Sequence, residues 1–347
     1  MLASAPVVLG HPKEGWLALA ATLLALVCAG AVAACGGSGE DRLVVYSGRT
    51  ADLITPLVDI YEERIGKKLD VRFAETPELA ATLVEEGDAS PADVFLSQDA
   101  GALGAVDRAG LLRRLPAGIL GRVEPRFRAR DGDWVGVSAR ARVIAYAPAR
   151  VRRRELPRSV LGLTDPRWRD KVGWAPTNAS FQAFVTALRR LRGEAAAERW
   201  LRGMVANDTQ RYENNIAVRD AIASGEIDVG LINHYYVAEA KAQDPDYPVE
   251  IDIPPGGDPG ALVNVAGAAI LKSSDKQEEA RRFLAFLLSP TAQRYFAEKT
   301  KEYPVIDGVP GPRGLPALAA IRQPHLDLSS LADLQGTERL IERSGAL

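Results

Sequence analysis

From residue 42 onward, short apolar segments alternate with longer segments of helical periodicity, and this alternation constrains the fold more than any other feature. The first strand-like segment, RLVVYS (42–47), precedes LITPLVDIYEERIG, whose apolar residues recur at helical spacing before a terminal glycine. Two similar pairs follow, with strands at 69–74 and 91–97, and Asp99 is placed to cap the third helix. Such a βαβ series predicts a parallel sheet with helices on both faces.

A second strand–helix series begins at VSARARVIAYAP (137–148) and continues through the strands KVGWAP and IDVGLIN, each followed by a helix. A long strand-like segment (260–271), two amphipathic helices and a Pro- and Gly-rich tail with a last helix near 328–343 complete the chain. Two such series predict an α/β protein of two lobes, joined by two or more crossing strands, with a cleft between them.

The lobe boundaries follow from the same pattern. We place lobe 1 at residues 42–136 plus about 262–302, and lobe 2 at residues 137–261 plus about 303–347, where the second range includes the tail.

The N-terminal segment is typical of an export signal rather than of the fold. Residues 1–34 contain a lysine followed by an apolar run that ends in small residues. The sequence VAAC at 32–35 resembles a bacterial lipobox, which implies cleavage before Cys35 and lipid attachment to its thiol, with residues 35–41 as a flexible tether. A membrane-spanning anchor is the alternative. The other cysteine, Cys28, lies in the same segment, so a disulfide or thiolate metal ligand is not expected in the exported domain.

Polar side chains gather where the predicted strands end, which is where open α/β sheets bind ligands. These residues are Ser47, Gly48, Arg49 and Thr50; Ser97, Gln98 and Asp99; Thr177, Asn178 and Ser180; Tyr212, Asn214 and Asn215; and Asn233, His234, Tyr235 and Tyr236. Several of them also begin helices, where free backbone N–H groups favour an anion.

Two adjacent phenols, Tyr235 and Tyr236, follow Asn233 and His234 in the stretch LINHYYVAEA. On a regular strand neighbouring side chains point to opposite faces. At a strand-to-helix switch we expect neither strand nor helix geometry, so both phenols could face one ligand. Simpler roles compete: helix caps for Asn178 and its neighbours, a structural His234, and a tyrosine pair that is half core and half surface. The joint placement at successive strand ends favours a binding site.

An enzyme is not predicted, because HExxH, Walker A and GxSxG motifs are missing from the sequence and no GxGxxG follows a strand. The formal net charge of -2 and the scattered basic residues give no reason to expect nucleic-acid binding. A monomeric, exported binding protein is the expectation.

Several stretches resemble the ferric iron-binding proteins that serve as substrate-binding components of bacterial iron ABC transporters. They are VVYSGR, PADVFLSQDAGAL, GWAPTNASFQAFVTAL, YENNIAV, INHYY, GGDPGALVNVAGAAIL and SPTAQRYFAEKTKEYPV. The resemblance covers essentially the whole exported chain. It implies a periplasmic-binding-protein-like fold, in which two mainly parallel α/β lobes close on the ligand.

The resemblance also implies a metal site. Tyr235 and Tyr236 correspond to consecutive tyrosines that bind Fe³⁺ as phenolates, together with a synergistic anion, carbonate or phosphate. The positions matching the anion site are Ala179, Ser180, Asn215, Ile216 and Asn233, with Ala179 and Ile216 acting through backbone N–H groups. Arg140, Ser47, Gly48 and Asn178 are further possible anion contacts.

The first lobe departs from part of the family pattern. Some members carry a histidine after the first strand and a glutamate after the third, where this chain has Arg49, or a neighbour, and Gln98. Others use an extra tyrosine where this chain has Phe181. Arg49 is therefore expected to grip the anion, and Gln98 and His234 are possible ligands or supporting contacts of the metal.

The implied function is the capture of ferric iron, free or as a small chelate, and its delivery to an ABC permease. The protein would be anchored by its N-terminal lipid to the outer face of the cytoplasmic membrane. A binding protein of the same fold for a polyamine or a phosphonate-like oxyanion is the alternative.

Overall fold

The computed structural model describes Met1 and residues 42–347. The predicted signal segment, the tether and the lipidated Cys35 lie outside the described residues, so these predictions stay untested. Within the described part of the chain, no helix combines the length and the apolar character that a membrane span requires.

Ten strands are present in the described chain. They are β1 (Val44–Ser47), β2 (Asp70–Phe73), β3 (Val94–Ser97), β4 (Leu112–Arg113), β5 (Val135–Tyr146), β6 (Val172–Trp174), β7 (Gln210–Arg211), β8 (Val229–Asn233), β9 (Glu250–Asp252) and β10 (Val263–Leu271). Their order is β2-β1-β3-β10-β5-β8-β6-β7, with β4 paired to β10 and β9 paired to β5.

Eleven α-helices accompany these strands in the described chain. They are α1 (Ala51–Ile65), α2 (Thr76–Glu86), α3 (Ala100–Arg108), α4 (Ala117–Leu120), α5 (Ala179–Arg192), α6 (Glu194–Ala206), α7 (Asn215–Ser224), α8 (His234–Gln243), α9 (Gln277–Leu287), α10 (Pro290–Glu298) and α11 (Leu334–Arg343). The predicted strand–helix alternation is confirmed, but α6 was missed. It follows α5 after Gly193 alone, whose φ of +87° turns the chain sharply.

The outer strands are parallel, and the strands that join them are antiparallel. β1 pairs with β2 and β3 in parallel, as β6 does with β7 and β8. β5 pairs with β10 over residues 135–141 and with β8 over residues 142–146, so one strand serves both halves. This arrangement confirms the predicted two-lobed α/β fold, whereas the exact lobe boundaries stay a prediction.

A further segment, which follows α10, also pairs with β5. Ala139 and Tyr303 form an antiparallel bridge in which each residue's N–H donates to the other's carbonyl over 2.8 Å. All twelve residues of β5 are buried, so this strand runs through the interior of the protein. Several of its side chains belong to the candidate site described below.

Candidate metal centre

The tyrosine pair stands at the junction between β8 and α8. Asn233 ends the strand, and the helix begins at His234, so Tyr235 and Tyr236 occupy its first turn. The expectation that they follow neither strand nor helix geometry is wrong. They are helical, and the start of the helix, rather than an irregular bend, brings them to the strand end.

The two phenol rings nevertheless lie together. Their centroids are 4.2 Å apart with the ring planes tilted by 36°. Tyr235 is 1% exposed, and Tyr236 is partly buried. Burial raises the pKa of Tyr236 well above its ordinary value, and a hydrogen bond with Tyr235 adds to this, while Arg49 and Arg140 act in the opposite direction. The Tyr236 phenol therefore keeps its proton until a cation displaces it.

Arg49 lies beside the phenols but is already paired. Its Nη1 and Nη2 donate to the two carboxylate oxygens of Glu302 over 2.9 and 2.8 Å, and both side chains are buried. Burial alone would lower the pKa of Arg49, but Glu302 and the nearby phenols raise it above its ordinary value. The prediction that this guanidinium grips the anion is not supported, because the fork that would do so is bound to Glu302. Sequence reasoning did not find Glu302.

Arg140 is the guanidinium that lacks a partner. It is 1% exposed, and among the described residues its Nε, Nη1 and Nη2 find no hydrogen-bond acceptor. Burial lowers its pKa, although Tyr235 and Asp99 oppose the shift. A buried cation with free donors is costly unless an anion meets it. Arg140, predicted from the sequence only as a possible anion contact, therefore has donor groups that an anion would satisfy.

Arg142 reaches the predicted anion positions from the same strand. Its Nη1 donates to Ser180 Oγ over 3.2 Å and its Nη2 to the carbonyl of Leu231 over 2.7 Å. Burial, together with the neighbouring charge of Arg140, lowers its pKa to about 9. Two buried arginines that disfavour one another mark this end of β5 as a region that attracts anions.

The beginnings of α5 and α7 are tied together by side chains. Asn178 caps α5 by accepting from Ser180 N–H over 3.1 Å, and its Oδ1 also accepts from Asn215 Nδ2 over 3.0 Å. Within the described chain, Asn215 Oδ1 and Asn233 Nδ2 are buried and lack partners. The first turns of α5 and α7 are thus joined, and one amide atom of Asn215 and one of Asn233 remain available to a ligand. Ala179 begins α5 and Ile216 is the second residue of α7, so both predicted backbone donors lie in first turns.

Gly48 and Ser47 make local structural bonds, whereas the predicted contact of the Gln98 side chain with the metal stays a prediction. The N–H of Gly48 donates to the carbonyl of Leu96 over 2.8 Å, and a Cβ on this residue would lie 1.9 Å from Thr76 Oγ1. Ser47 Oγ bonds the backbone of Arg49 two residues on. Both residues were suggested as anion contacts, and these local bonds correct that suggestion. Gln98 is buried at the end of β3, where its N–H donates to Thr76 Oγ1 over 3.1 Å.

His234 is fully buried and has both ring nitrogens engaged. The N–H of Ala141 donates to Nδ1 over 3.1 Å, and Nε2 lies 2.9 Å from the carbonyl of Lys301. Burial lowers the pKa of His234 to about 4, so the ring is neutral. A ring with no free nitrogen cannot ligate a metal in this arrangement, which corrects the suggestion of direct ligation.

Glu239 is a second carboxylate that sequence reasoning missed. It lies on α8 one turn after the tyrosines, and its Oε1 is buried with no hydrogen-bond partner in the described chain. Burial raises its pKa to about 7, and Glu302 adds to the increase, whereas Arg49 lowers it. Glu239 could have been found from the sequence, because it lies four residues after Tyr235 and residues four apart share a helix face.

Other features of the described chain lie away from this centre. A cavity of about 770 Å³ is lined by residues of β9, the following Pro-Pro-Gly turn and the tail, with Arg153 and Arg158 from the segment after β5. Asp107, Asp131 and Asp133 bring carboxylate oxygens within 4.8 Å of one another near the surface. Neither feature includes a residue predicted to bind the metal or the anion.

The comparisons with known proteins agree with this geometry. Residues 89–322 match the model of the bacterial extracellular solute-binding protein family. The chain belongs to this family. The major ferric iron-binding protein of Neisseria meningitidis is 34% identical over 308 residues, covering 87% of this chain and 92% of its own.

Solved structures of similar proteins extend the comparison to three dimensions. Iron-bound HitA from Pseudomonas aeruginosa aligns with a TM-score of 0.84 at 34% identity, covering 88% of this chain and 99% of its own. A Trichodesmium protein solved with iron and citrate aligns at 0.76 and 30% identity, covering 88% and 99%. This member of the solute-binding family therefore shares its fold over nearly the full described length with proteins whose structures hold iron.

Proposed function

We propose that this solute-binding protein captures ferric iron through the phenolates of Tyr235 and Tyr236, with a synergistic anion held at Arg140. One observation carries the proposal: two phenols in ring contact lie beside the buried Arg140 guanidinium, which has no hydrogen-bond acceptor among residues 42–347. The names of the similar proteins, which include ferric iron-binding proteins, support the same cargo. A binding role rather than an enzymatic one follows.

The chemistry of the donor set suits this cargo. Fe³⁺ is a hard cation that prefers anionic oxygen, and its coordination displaces the proton of a phenol ligand. Arg49 and Arg140 both lower the pKa of Tyr236 and so favour the ionised phenol. With only two secure protein ligands, an oxyanion such as carbonate or phosphate, and water, would complete the shell. Asn215, Asn233, Ser180 and the helix starts at Ala179 and Ile216 would orient that anion.

The transport context is also proposed. The iron arrives free or as a small ferric chelate, and the loaded monomer delivers it to an ABC permease. Lipid on Cys35 would hold the protein at the outer face of the cytoplasmic membrane.

The double variant Tyr235→Phe/Tyr236→Phe tests the metal ligands. The wild-type protein is expected to develop a visible tyrosinate-to-iron charge-transfer band with Fe³⁺, and the double variant should lose both the band and high affinity. Tyr61→Phe is the matched control, because the Tyr61 ring on α1 packs against Phe283 and Phe286 of α9 and its change should leave the band unchanged. A double variant that keeps the charge-transfer band and the wild-type affinity for Fe³⁺ would contradict the proposal.

A phosphonate-like oxyanion is the second candidate, favoured by the free donors of Arg140. The other alternative, a polyamine, is disfavoured because the buried guanidinium groups of Arg140 and Arg142 would repel a cation. Calorimetry with Fe³⁺, a phosphonate and a polyamine separates these cargoes. Heat from the phosphonate in the absence of iron, with none from Fe³⁺, would favour the oxyanion.

A further inference from the structure

His234 makes a set of contacts that the proposed capture of iron does not use. The N–H of Ala141 can only donate and the carbonyl of Lys301 can only accept, so the two bonds fix the proton on Nε2. The ring also stacks on Tyr303, with centroids 4.7 Å apart and planes 27° from parallel. Its opposite neighbour is Tyr235, edge-on at 5.8 Å and 90°.

These contacts join three separate parts of the chain. His234 is the first residue of α8, the helix that carries the tyrosines. Ala141 lies on β5, the strand shared by both halves. Lys301 and Tyr303 belong to the segment after α10, which Tyr303 joins to β5 through its bridge with Ala139.

Lys301, whose carbonyl contacts His234, has an unusual backbone conformation. Its φ of +55° is in the left-handed region, which non-glycine residues seldom adopt. The carbonyl of this residue accepts the His234 proton, and the next residue is Glu302, which holds Arg49 over 2.8 Å. One imidazole therefore connects the phenols to the segment that fixes the neighbouring guanidinium.

We infer that His234 is a positioning residue that ties the start of the tyrosine helix to β5 and to the Lys301–Glu302 segment, and so sets where the two phenols lie relative to Arg49. The inference rests on the proposed function, since the phenols are its metal ligands. It assigns no metal contact to the imidazole.

Two amide variants test the two bonds separately. His234→Asn keeps an acceptor near the position of Nδ1 for Ala141 but cannot reach Lys301, whereas His234→Gln extends a donor toward Lys301. His325→Asn is the control, because His325 is exposed in the tail. The measurements are the wavelength of the charge-transfer band, Fe³⁺ affinity by competition with citrate, thermal stability, and hydrogen exchange at the Ala141 amide.

We expect His234→Asn to weaken Fe³⁺ binding by about tenfold, the effect of one lost buried hydrogen bond, and to shift the band, with Ala141 still protected. His234→Gln should recover most of the affinity, and His325→Asn should match the wild type. Variants that lose thermal stability yet keep the wild-type band and affinity would show a merely structural histidine and overturn the inference. A wild-type protein with no band would instead overturn the proposed ferric function, and the positioning role with it.

Discussion

At the scale of single residues, two arginines two positions apart on β5 differ in whether their guanidinium groups find hydrogen-bond acceptors. Arg142 has acceptors on Ser180 and Leu231, whereas Arg140 has none in the described chain. Both are at most 3% exposed. A buried charge without acceptors destabilises the protein that carries it, whereas a paired one supports the groups it contacts.

Replacing each arginine with methionine should therefore have opposite effects on the iron-free protein. Arg140→Met removes an uncompensated charge, and we expect the free energy of unfolding to rise by about 1–3 kcal/mol. Arg142→Met leaves the Leu231 carbonyl without its donor, so stability should fall. Chemical denaturation measures both. Iron affinity should drop in Arg140→Met despite its greater stability, and a destabilised Arg140→Met would contradict the account of its burial.

At the scale of elements, most residues of the candidate site lie at the beginnings of helices. The cap of α5 also contacts the beginning of a second helix. Asn178 both caps α5 and accepts from Asn215 at the start of α7. Ser289 caps α10 by accepting from Ala292 N–H over 3.3 Å, away from the tyrosines. The two caps make similar local bonds, but only one belongs to the site.

Asn178→Ala and Ser289→Ala should each lower the free energy of unfolding by about 1 kcal/mol. Only Asn178→Ala should also weaken Fe³⁺ binding, because it frees Asn215 to reorient. Thermal melts and chelator competition on the pair of variants measure the two effects. Equal iron affinities in the two variants would show that the Asn178–Asn215 contact has no part in binding.

The sequence predicts what local periodicity and turn chemistry determine. The strand–helix alternation, the Asp99 cap and the Tyr235–Tyr236 pair at a strand end all follow from neighbours in the chain. Glu302 could not be found in this way, because it meets Arg49 across 253 positions and only the folded chain brings the two together. The same limit reversed the expected roles of Arg49 and Arg140, since a free guanidinium and a paired one look alike in a sequence.

At the scale of the whole molecule, the proposed cargo must reach Tyr235 and Arg140 although both side chains are deeply buried. Tyr235 and Arg140 are each 1% exposed, so cargo must enter through a more open form. We expect Fe³⁺ to reduce the radius of gyration measured by small-angle X-ray scattering. Tyr235→Phe/Tyr236→Phe should give the same curve with and without iron. Identical wild-type curves would argue against closure.

The burial of Tyr235 has a consequence for how fast cargo is lost. A competing chelator cannot touch a metal whose ligand has almost no solvent contact, so the halves must first separate. The dissociation rate would then reach a plateau as chelator is added, with the plateau equal to the frequency of opening. Such a protein can hold its cargo for long periods among strong competitors and still release it promptly wherever a partner stabilises the open form.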